Sequence, residues 1–478
     1  MVRFSIVVTT TDRRNLLPAC VRAALAMDFD DFELIVSDNF SQVPAAEILA
    51  DVHDKRLRIV RTDRRLALSD HWEFAWEHVR GDFVIYLGDD NALHPEILSV
   101  ADRAIRDHDL DILSWRACSY FHPDWNIDYG PLPDRGNILG IDAGTTQQLY
   151  QCRSEDVLEH FCRNLRFSGC FPSMLSLFRT ASANMIRERT GRLFWAPCAD
   201  VSFSYLMLGA SRPGAYAFLD AFGAIGGRSR HSNLASLLSR GKASRRAHDY
   251  VEEYRGQDML PRHQPKFVAM SNLLAATISQ AKALMPDHFS RYDFDPVILA
   301  RKTIDDIYLE RTVPWMNDPA FLADVDEFFS SLPAAAAAEV LAYRDECLTQ
   351  SLAGIWEAEA VGPSATSHGR KSDAAHASLR GFWRKADFES KRLAWRLARE
   401  TRRNPIGRFW VSGATTYVDM SLYGGQDIAD AARSLPRVLA HFDRHGDGFA
   451  DYYRKLGMLG EPLAAAPPTD GRLSRSRA

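Results

Sequence analysis

Two adjacent carboxylates and a carboxamide, Asp89, Asp90 and Asn91, follow a short apolar run at residues 83–87. This run is aromatic, aliphatic and β-branched, which is typical of a strand that is buried on both faces. Adjacent carboxylates repel each other unless a cation neutralises them, and such oxygen ligands suit Mg²⁺ or Mn²⁺ together with substrate phosphates. The segment therefore predicts a metal site at a strand end, although Asp and Asn are also ordinary turn and helix-capping residues.

The elements that must position this segment alternate along the chain. They run in the order strand 4–8, helix 16–25, strand 32–36, strand 57–60, helix 68–79 and strand 83–87. Such alternation predicts an α/β fold with a mainly parallel, doubly wound sheet, which binds ligands beyond the carboxyl ends of its strands. Because three of the strands end in polar residues, we expect residues 9–12, Asp38 and residues 89–91 to meet at one crevice.

Two other nucleotide-binding folds are excluded by missing motifs. No G-x-G-x-x-G follows the first strand, and no G-x-x-x-x-G-K-[ST] occurs in the chain. A dinucleotide-binding Rossmann domain and a P-loop would both lack their phosphate cradle. A diphosphate would have to be held by a metal ion and side chains instead.

The order of these motifs resembles the nucleotide-diphospho-sugar transferase fold called GT-A, and in particular the family 2 glycosyltransferases. The segments that carry the resemblance are SIVVTTTDR, LIVSDN and SDHWEFAWEHVRGDFVIYLGDDN, in the first half of the chain. The resemblance implies an inverting glycosyltransferase. Such an enzyme moves a sugar from a nucleoside-diphosphate sugar to a hydroxyl acceptor with the help of Mn²⁺ or Mg²⁺.

The resemblance also implies a donor site at the strand ends. Thr9, Thr10 and Asp12 would contact the nucleobase, and Asp38 would accept a hydrogen bond from its N–H. Asp89 would face the ribose. A uracil, a thymine or a guanine would each offer Asp38 such an N–H, so the base stays open.

The metal site implied by the resemblance draws on two segments. Asp90 would bind the metal, whereas Asn91 stands where the family more often has a third aspartate, which leaves one charged ligand fewer. Farther along, Arg228 and His231 follow a glycine pair. A comparable histidine in many family members closes over the diphosphate and binds the metal, so both residues could stabilise the leaving group. The alternative is an ordinary solvated basic loop.

Asp200 is the candidate catalytic base. Inverting displacement needs a carboxylate that takes the proton of the incoming hydroxyl on the face opposite the leaving diphosphate. Asp200 follows a proline-containing loop and begins an apolar helical pattern at 201–208, a position that resembles the acceptor-side motif of the family. Alternatively Asp200 only caps that helix. The two roles are compatible, because a helix N-terminus favours an ionised carboxylate.

The remainder of the chain divides by composition. We assign residues 1–236 to the GT-A domain, 237–360 to an α-helical domain, 361–378 to a linker, 379–460 to a basic helical region and 461–478 to a disordered tail. Nine Lys and Arg residues lie between Arg380 and Arg403, interleaved with aromatic residues. This pattern predicts either a helix at the surface of an anionic membrane or a helix packed on the same protein.

Composition is typical of a large soluble enzyme. The net charge of −4 does not indicate nucleic-acid binding, and the seven cysteines form neither C-x-x-C nor a disulfide framework. The amino terminus lacks a signal-peptide pattern, and no apolar stretch approaches the roughly 20 residues that span a bilayer. We therefore expect a cytoplasmic protein with at most peripheral membrane contact. By resemblance it would act on a glycan or lipid-linked acceptor in surface polysaccharide or glycoconjugate synthesis.

Two alternative functions remain open from the sequence. A sugar-phosphate nucleotidylyltransferase would need a glycine-rich loop with a basic end after the first strand, where this chain has threonines and Asp12. A non-catalytic sugar-nucleotide-binding or scaffold protein is supported mildly by Asn91. The oligomeric state cannot be predicted from these patterns.

Overall fold

The computed structural model describes residues 2–125, 133, 135–142, 144–196, 198–229, 269–309, 319–359, 409–412, 415–442 and 448–463. Its strands are β1 (Phe4–Thr10), β2 (Phe32–Asp38), β3 (Leu57–Arg61), β4 (Phe83–Gly88), β5 (Ala92–Leu93), β6 (Ile112–Phe121), β7 (Ile138–Ile141), β8 (Leu149–Cys152), β9 (Leu177–Arg179), β10 (Tyr216–Arg228), β11 (Phe409–Ser412), β12 (Thr415–Asp419) and β13 (Leu459–Pro462).

Along the chain, the helices lie between these strands. They are α1 (Leu17–Leu25), α2 (Ala45–Ile48), α3 (Leu68–Trp76), α4 (Ile97–His108), α5 (Ser154–Asn164), α6 (Thr180–Thr190), α7 (Ala199–Ala210), α8 (Met270–Leu284), α9 (Pro286–Phe289), α10 (Pro296–Ile304), α11 (Pro319–Ser330), α12 (Ala334–Glu359), α13 (Ile428–Phe442) and α14 (Gly448–Lys455). None of the described helices is long and apolar enough to cross a bilayer.

The strands form one mixed sheet, and its parallel part confirms the predicted α/β fold. The strand order is β11-β12-β7-β6-β9-β4-β1-β2-β3, in which β1 runs parallel to both β2 and β4, and β2 runs parallel to β3. β10 runs parallel to β6, whereas β9 lies antiparallel between β4 and β6. The carboxyl ends of β1, β2 and β4 therefore meet at one edge, as the sequence predicts.

The central strands are apolar at successive positions because helices cover both faces of the sheet. Val7, Val84 and Tyr86 belong to the core cluster that includes α3, α5 and α7. Their neighbours Val8 and Ile85 point to the opposite face and belong to the cluster with α1 and α4. This alternation holds β1 and β4 rigidly, so the residues that directly follow them have fixed positions.

Helices α8 to α10 pack on the sheet domain through α7. The Phe289 ring of α9 stacks on Tyr205 of α7 with ring centroids 5.2 Å apart. A Cβ atom on Gly209 would lie 2.1 Å from the Phe289 ring, so only glycine admits this approach of α9 to α7. The predicted α-helical extension therefore contacts α7, the helix whose first turn contains Asp200.

The C-terminal part of the chain completes the sheet, which corrects the prediction of a helical region at 379–460. β12 pairs antiparallel with β7, β11 pairs with β12, and β13 pairs with β8. α13 lies against α1, where Arg22 forms an ion pair with Asp427. Local patterns did not reveal these strands, because their partners lie far away in sequence. The basic segment 380–403 lies outside the described residues.

A buried ion pair ties β10 to β6 and gives a first testable prediction. Asp220 is fully buried and pairs with Arg116 at 3.3 Å, and its other oxygen accepts hydrogen bonds from Thr146. Asp220→Ala would leave the Arg116 charge buried without its carboxylate, which typically costs about 3–5 kcal/mol. We expect a large fall in the urea concentration at the unfolding midpoint.

Glu159→Ala is the control variant. It breaks an exposed pair with Arg163 and should change the unfolding free energy by less than about 1 kcal/mol. Equal midpoints for the two variants would contradict the prediction.

Candidate active site

The acidic pair lies directly after β4, beside the end of β1. Asp89 is almost fully buried, and Asp90 is half-buried. The Thr10 hydroxyl donates a 2.6 Å hydrogen bond to Oδ2 of Asp89. The structure thus brings Thr10 and Asp89 together, 79 residues apart in sequence. Thr9, the preceding residue of β1, is half-buried at the same edge.

The electrostatics of the pair favour a nearby cation. Burial and, to a smaller extent, the neighbouring Asp90 charge raise the pKa of Asp89 to about 7, although the Arg13 guanidinium and the Thr10 hydroxyl oppose this increase. Burial also raises the pKa of Asp90, again opposed first by Arg13. Two carboxylates in this environment resist simultaneous ionisation unless positive charge is close. Arg13 supplies part of that charge from the loop after β1, and the sequence reasoning missed it.

Asn91 and His122 fasten the acidic turn to the rest of the sheet. Asn91 Oδ1 accepts a 2.9 Å hydrogen bond from the Gly227 backbone N–H in β10. The His122 ring nitrogen Nε2 lies 2.9 Å from the Asp90 carbonyl oxygen. His122 is buried and follows β6 directly. Asn91 therefore has a structural role in addition to its predicted metal contact, which stays a prediction, and no local sequence signal marks His122.

Gly227 allows β10 to approach the acidic turn, which gives a second prediction. A Cβ atom there would lie 1.7 Å from the Asp90 carbonyl oxygen, a backbone atom that cannot move alone. Gly227→Ala should lower the unfolding free energy by about 1–3 kcal/mol and weaken nucleotide binding, because the turn must shift. Gly226→Ala is the matched control, since its Cβ would meet nothing closer than 3.7 Å. Calorimetric melting and UDP titration would measure both effects. Identical behaviour of the two variants would contradict the prediction.

Asp38 organises the loop after β2. It is fully buried, its Oδ1 accepts a hydrogen bond from the Ser41 N–H at 2.9 Å, and its Oδ2 accepts one from the Ala45 N–H at 3.0 Å. Arg61 of β3 pairs with the same carboxylate at 3.1 Å. These contacts fix the β2 loop at the predicted nucleobase edge. The direct contact between Asp38 and a base stays a prediction.

Asp12 links the loop after β1 to the loop after β2. Its backbone N–H donates to Ser41 Oγ at 2.9 Å, and its Oδ1 accepts a hydrogen bond from the Gln42 N–H at 2.6 Å. Arg65 pairs with its second carboxylate oxygen at 3.3 Å. The residue adopts a positive φ of 54°. The predicted donor residues of β1 and β2 thus form one connected loop pair.

Asp200 occupies the first turn of α7. Burial raises its pKa, and the backbone N–H groups of Asp200 and Val201 oppose this increase. Among the residues that the structure describes, Asp200 forms no ion pair. A half-buried carboxylate with a raised pKa has the properties of a general base. The N-cap residue of α7 is Cys198, without a side-chain capping hydrogen bond, so Asp200 lies inside the first turn and is not the N-cap. Its catalytic role stays a prediction.

The loop that precedes Asp200 is anchored on β4. Glu73 of α3 accepts hydrogen bonds from the backbone N–H groups of Leu193 and Phe194 at 2.9 and 3.2 Å. The Phe194 ring lies 5.1 Å from the Tyr86 ring of β4. Since Tyr86 stands only a few residues before the acidic pair, α3 and β4 together position the Asp200 loop relative to that pair.

The described contacts do not bring Arg228 to the acidic pair. The Arg228 Nε donates a 3.4 Å hydrogen bond to Ser119 Oγ, and its guanidinium lies over the Phe121 ring, both on β6. Burial lowers the pKa of Arg228. A role at the diphosphate would need a different side-chain position. His231 lies outside the described residues.

The acidic turn fits a cation shared with substrate, rather than one held by a protein cage. Among the described residues, no three His, Cys, Asp or Glu side chains are arranged to hold a metal ion. One or two carboxylates plus substrate phosphates and water are the usual ligands of Mg²⁺ in nucleotide sites. Asp90, half-buried beside the carboxylate of Asp89, meets that minimum.

Comparison with known proteins gives a family match for the first part of the chain. The family model described as Glycosyl transferase family 2 matches residues 5–170. These residues belong to glycosyl transferase family 2. The matched range of this family 2 domain contains the acidic pair, Asp38 and His122, whereas Asp200 and Arg228 lie beyond it. No curated protein matches the sequence.

Several solved structures have a similar fold. S. aureus TarS 1-349 in complex with UDP-GlcNAc is 14% identical with a TM-score of 0.46, covering 74% of this chain and 92% of that chain. The complex of the same protein with UDP is 15% identical with a TM-score of 0.43, covering 77% and 94%. Mannosyltransferase PcManGT from Pyrobaculum calidifontis in complex with GDP-Man and Mn²⁺ is 16% identical with a TM-score of 0.33, covering 68% and 86%.

Proposed function

We propose that this protein is an inverting glycosyltransferase that moves a sugar from a nucleoside-diphosphate sugar to a hydroxyl of a glycan or lipid-linked acceptor. The observation that carries the proposal is the acidic pair after β4, in which the Thr10 hydroxyl donates to Asp89 and the Arg13 charge lowers the pKa of both carboxylates, within the range that matches family 2. Surface polysaccharide or glycoconjugate synthesis is the setting that we propose for this activity.

The donor binds along the carboxyl ends of β1, β2 and β4 in this proposal. Thr9, Thr10 and Asp12 line the nucleobase, and Asp89 faces the ribose. Asp38 contributes mainly by holding the β2 loop and Arg61, because its carboxylate is fully buried and already accepts hydrogen bonds from the chain.

Asp90 would hold Mn²⁺ or Mg²⁺ together with the diphosphate oxygens of the donor, with His231 as a further candidate ligand. When bound, the cation neutralises the charge that develops on the departing diphosphate. Arg13 lies close enough to both carboxylates to lower the pKa of each. The positive charge of Arg13 therefore offsets part of the negative charge of the two carboxylates near the diphosphate.

Asp200 takes the proton in the chemical step. The acceptor hydroxyl oxygen forms a bond to the anomeric carbon as the bond from that carbon to the diphosphate breaks, and the hydroxyl proton passes to the Asp200 carboxylate. Burial raises the pKa of Asp200, which makes it a stronger base than an exposed aspartate. The anchoring of its loop by Glu73 keeps the carboxylate in place during the reaction.

The proposal is tested first on the donor half-reaction. Purified full-length protein is incubated with UDP-, GDP- and dTDP-sugars, with and without Mn²⁺, and free nucleoside diphosphate is measured. Melting is followed in parallel, because a ligand that binds only the folded state raises the Tm. Release of nucleoside diphosphate supports a transferase. Formation of pyrophosphate from a nucleoside triphosphate and a sugar phosphate would indicate a nucleotidylyltransferase instead. Nucleotide binding without any turnover would favour the non-catalytic alternative.

We also propose that the protein works in the cytoplasm and contacts the membrane peripherally. The candidate contact is the basic segment 380–403, which lies outside the described residues. Cosedimentation with anionic vesicles should decline steeply with salt, because screened attraction of Lys and Arg to the surface would drive binding. Binding that persists unchanged at high salt, or that is absent at low salt, would contradict this part of the proposal.

A further inference from the structure

Phe40 combines an exposed ring with a backbone conformation that bulky residues avoid. Its φ is 54°, and 47% of the residue is exposed to solvent. The left-handed backbone conformation is unfavourable for any residue with a Cβ atom, and residues with a large side chain rarely adopt it. A large apolar ring left in water adds a second unfavourable feature.

Two of the other residues with positive φ have an evident local reason. Asp109 and Leu165 terminate helices α4 and α5, where the left-handed conformation is the usual way to end a helix. Phe40 terminates no helix, because it follows β2 and precedes the short helix α2 by several residues. The strain at Phe40 therefore calls for a different explanation.

The residues on both sides of Phe40 are fixed, so its conformation is imposed. The Asn39 backbone N–H donates to the Thr10 carbonyl at 3.0 Å, and its side chain exchanges two 2.9 Å hydrogen bonds with the Leu66 backbone. The Ser41 N–H donates to Asp38. Strained conformations that are held by such surrounding contacts cluster at ligand-binding sites.

One face of the Phe40 ring is backed by a cation. The Arg61 guanidinium carbon lies 5.0 Å from the ring centroid, and the same guanidinium pairs with Asp38 and donates to the Ser41 carbonyl at 2.8 Å. Arg61 is thus held in place by three contacts and fixes the ring orientation. Phe40 precedes Ser41, whose Oγ accepts a hydrogen bond from the Asp12 backbone N–H, so the exposed side chain belongs to the loop that is joined to the loop after β1.

We propose that the exposed face of Phe40 stacks on the nucleobase of the donor. This inference rests on the proposed function, which places a nucleoside diphosphate at the ends of β1, β2 and β4. Every nucleobase has a π-face, so stacking contributes affinity for uracil and guanine alike and leaves discrimination between bases to polar groups. The strain and exposure of Phe40 are then retained because the bound base covers the ring.

The experiment measures the affinity of the full-length protein for UDP and GDP by calorimetric titration in Mn²⁺. Phe40→Ala and Phe40→Gly should each raise the Kd by about 5- to 100-fold, the range expected for loss of one base–aromatic stack. Phe40→Tyr keeps the ring and should bind within about 2-fold of the wild type. Binding of inorganic pyrophosphate, which carries no base, should be equal in all four proteins.

Stability separates lost stacking from a damaged loop. Phe40→Gly relieves the positive φ and should melt at a higher temperature than Phe40→Ala, although both lose nucleotide affinity to the same extent. Phe167→Ala is the matched control, because Phe167 is also 47% exposed but lies after α5, and it should leave the Kd unchanged.

The outcomes are distinguishable. If the wild type binds UDP or GDP and Phe40→Ala binds equally well, the stacking inference is overturned and the proposed function stands. If pyrophosphate affinity falls together with nucleotide affinity, the ring only supports the loop, and the inference is likewise overturned. If the wild type binds neither UDP nor GDP, the stacking inference is overturned, whereas the proposed function fails only if dTDP-sugars are not turned over either.

Discussion

Asp200→Asn is expected to lower the turnover number by about 10²- to 10⁴-fold, the usual contribution of a general base. The affinity for nucleoside diphosphate should stay at the wild-type value, because the proton is transferred only in the transition state. Asparagine has nearly the same shape as aspartate, and its side-chain oxygen can still accept the N–H groups of the first turn of α7. The variant therefore removes the basic group while the contacts with the backbone N–H groups of Asp200 and Val201 are retained.

Initial rates of sugar transfer and calorimetric titration with UDP or GDP would measure the two quantities separately. Glu155→Gln is a matched control, since it removes a carboxylate from the first turn of α5 instead. It should retain turnover. Wild-type turnover by Asp200→Asn would assign the base to another residue, and a parallel loss of nucleotide affinity would assign Asp200 to donor binding.

Asp90→Ala should abolish the part of nucleotide affinity that depends on Mn²⁺. Loss of an outer-sphere partner of a metal site typically costs 10–100-fold in metal affinity, so loss of a direct ligand should cost at least about 100-fold. In the absence of metal the same variant should bind UDP no more weakly than the wild type. The reason is that it removes a negative charge beside the diphosphate.

Electron paramagnetic resonance of free Mn²⁺ in the presence of UDP would give the metal affinity without any measurement of activity. Asp89→Asn provides the comparison. Asp89 is engaged by the Thr10 hydroxyl, so its substitution should weaken nucleotide binding by a smaller factor. Unchanged Mn²⁺ dependence in Asp90→Ala would contradict the assignment of the metal ligand.

The parallel half of the fold could be predicted because its signals are local. Each of β1, β2 and β4 is an apolar, β-branched run that ends in polar residues, and both faces of the sheet are covered by helices. A parallel sheet brings the carboxyl ends of neighbouring strands together, so the contact between Thr10 and Asp89 follows from the strand order. Family resemblance added the roles of these residues.

The rest of the candidate site depends on tertiary contacts that no local pattern encodes. His122 reaches the Asp90 carbonyl because β10 and β6 run side by side, and Arg13 approaches the acidic pair because a loop bends back over the strand ends. The positive φ of Phe40 is imposed by partners on β1 and in the loop after β3. Propensity alone would have excluded that conformation for phenylalanine.

The pairing of β12 with β7 and of β13 with β8 has a consequence for synthesis of the protein on the ribosome. When residue 360 has been translated, β7 and β8 still lack these partners, and their open backbone groups are templates for pairing with another chain. Domains generally fold as they emerge, so this intermediate must persist until about 100 more residues have been added. We therefore expect chains that stop before β11 to aggregate or to depend on chaperones. For this reason, substitution of the Lys and Arg residues within 380–403 is a better test of membrane attachment than truncation of the chain.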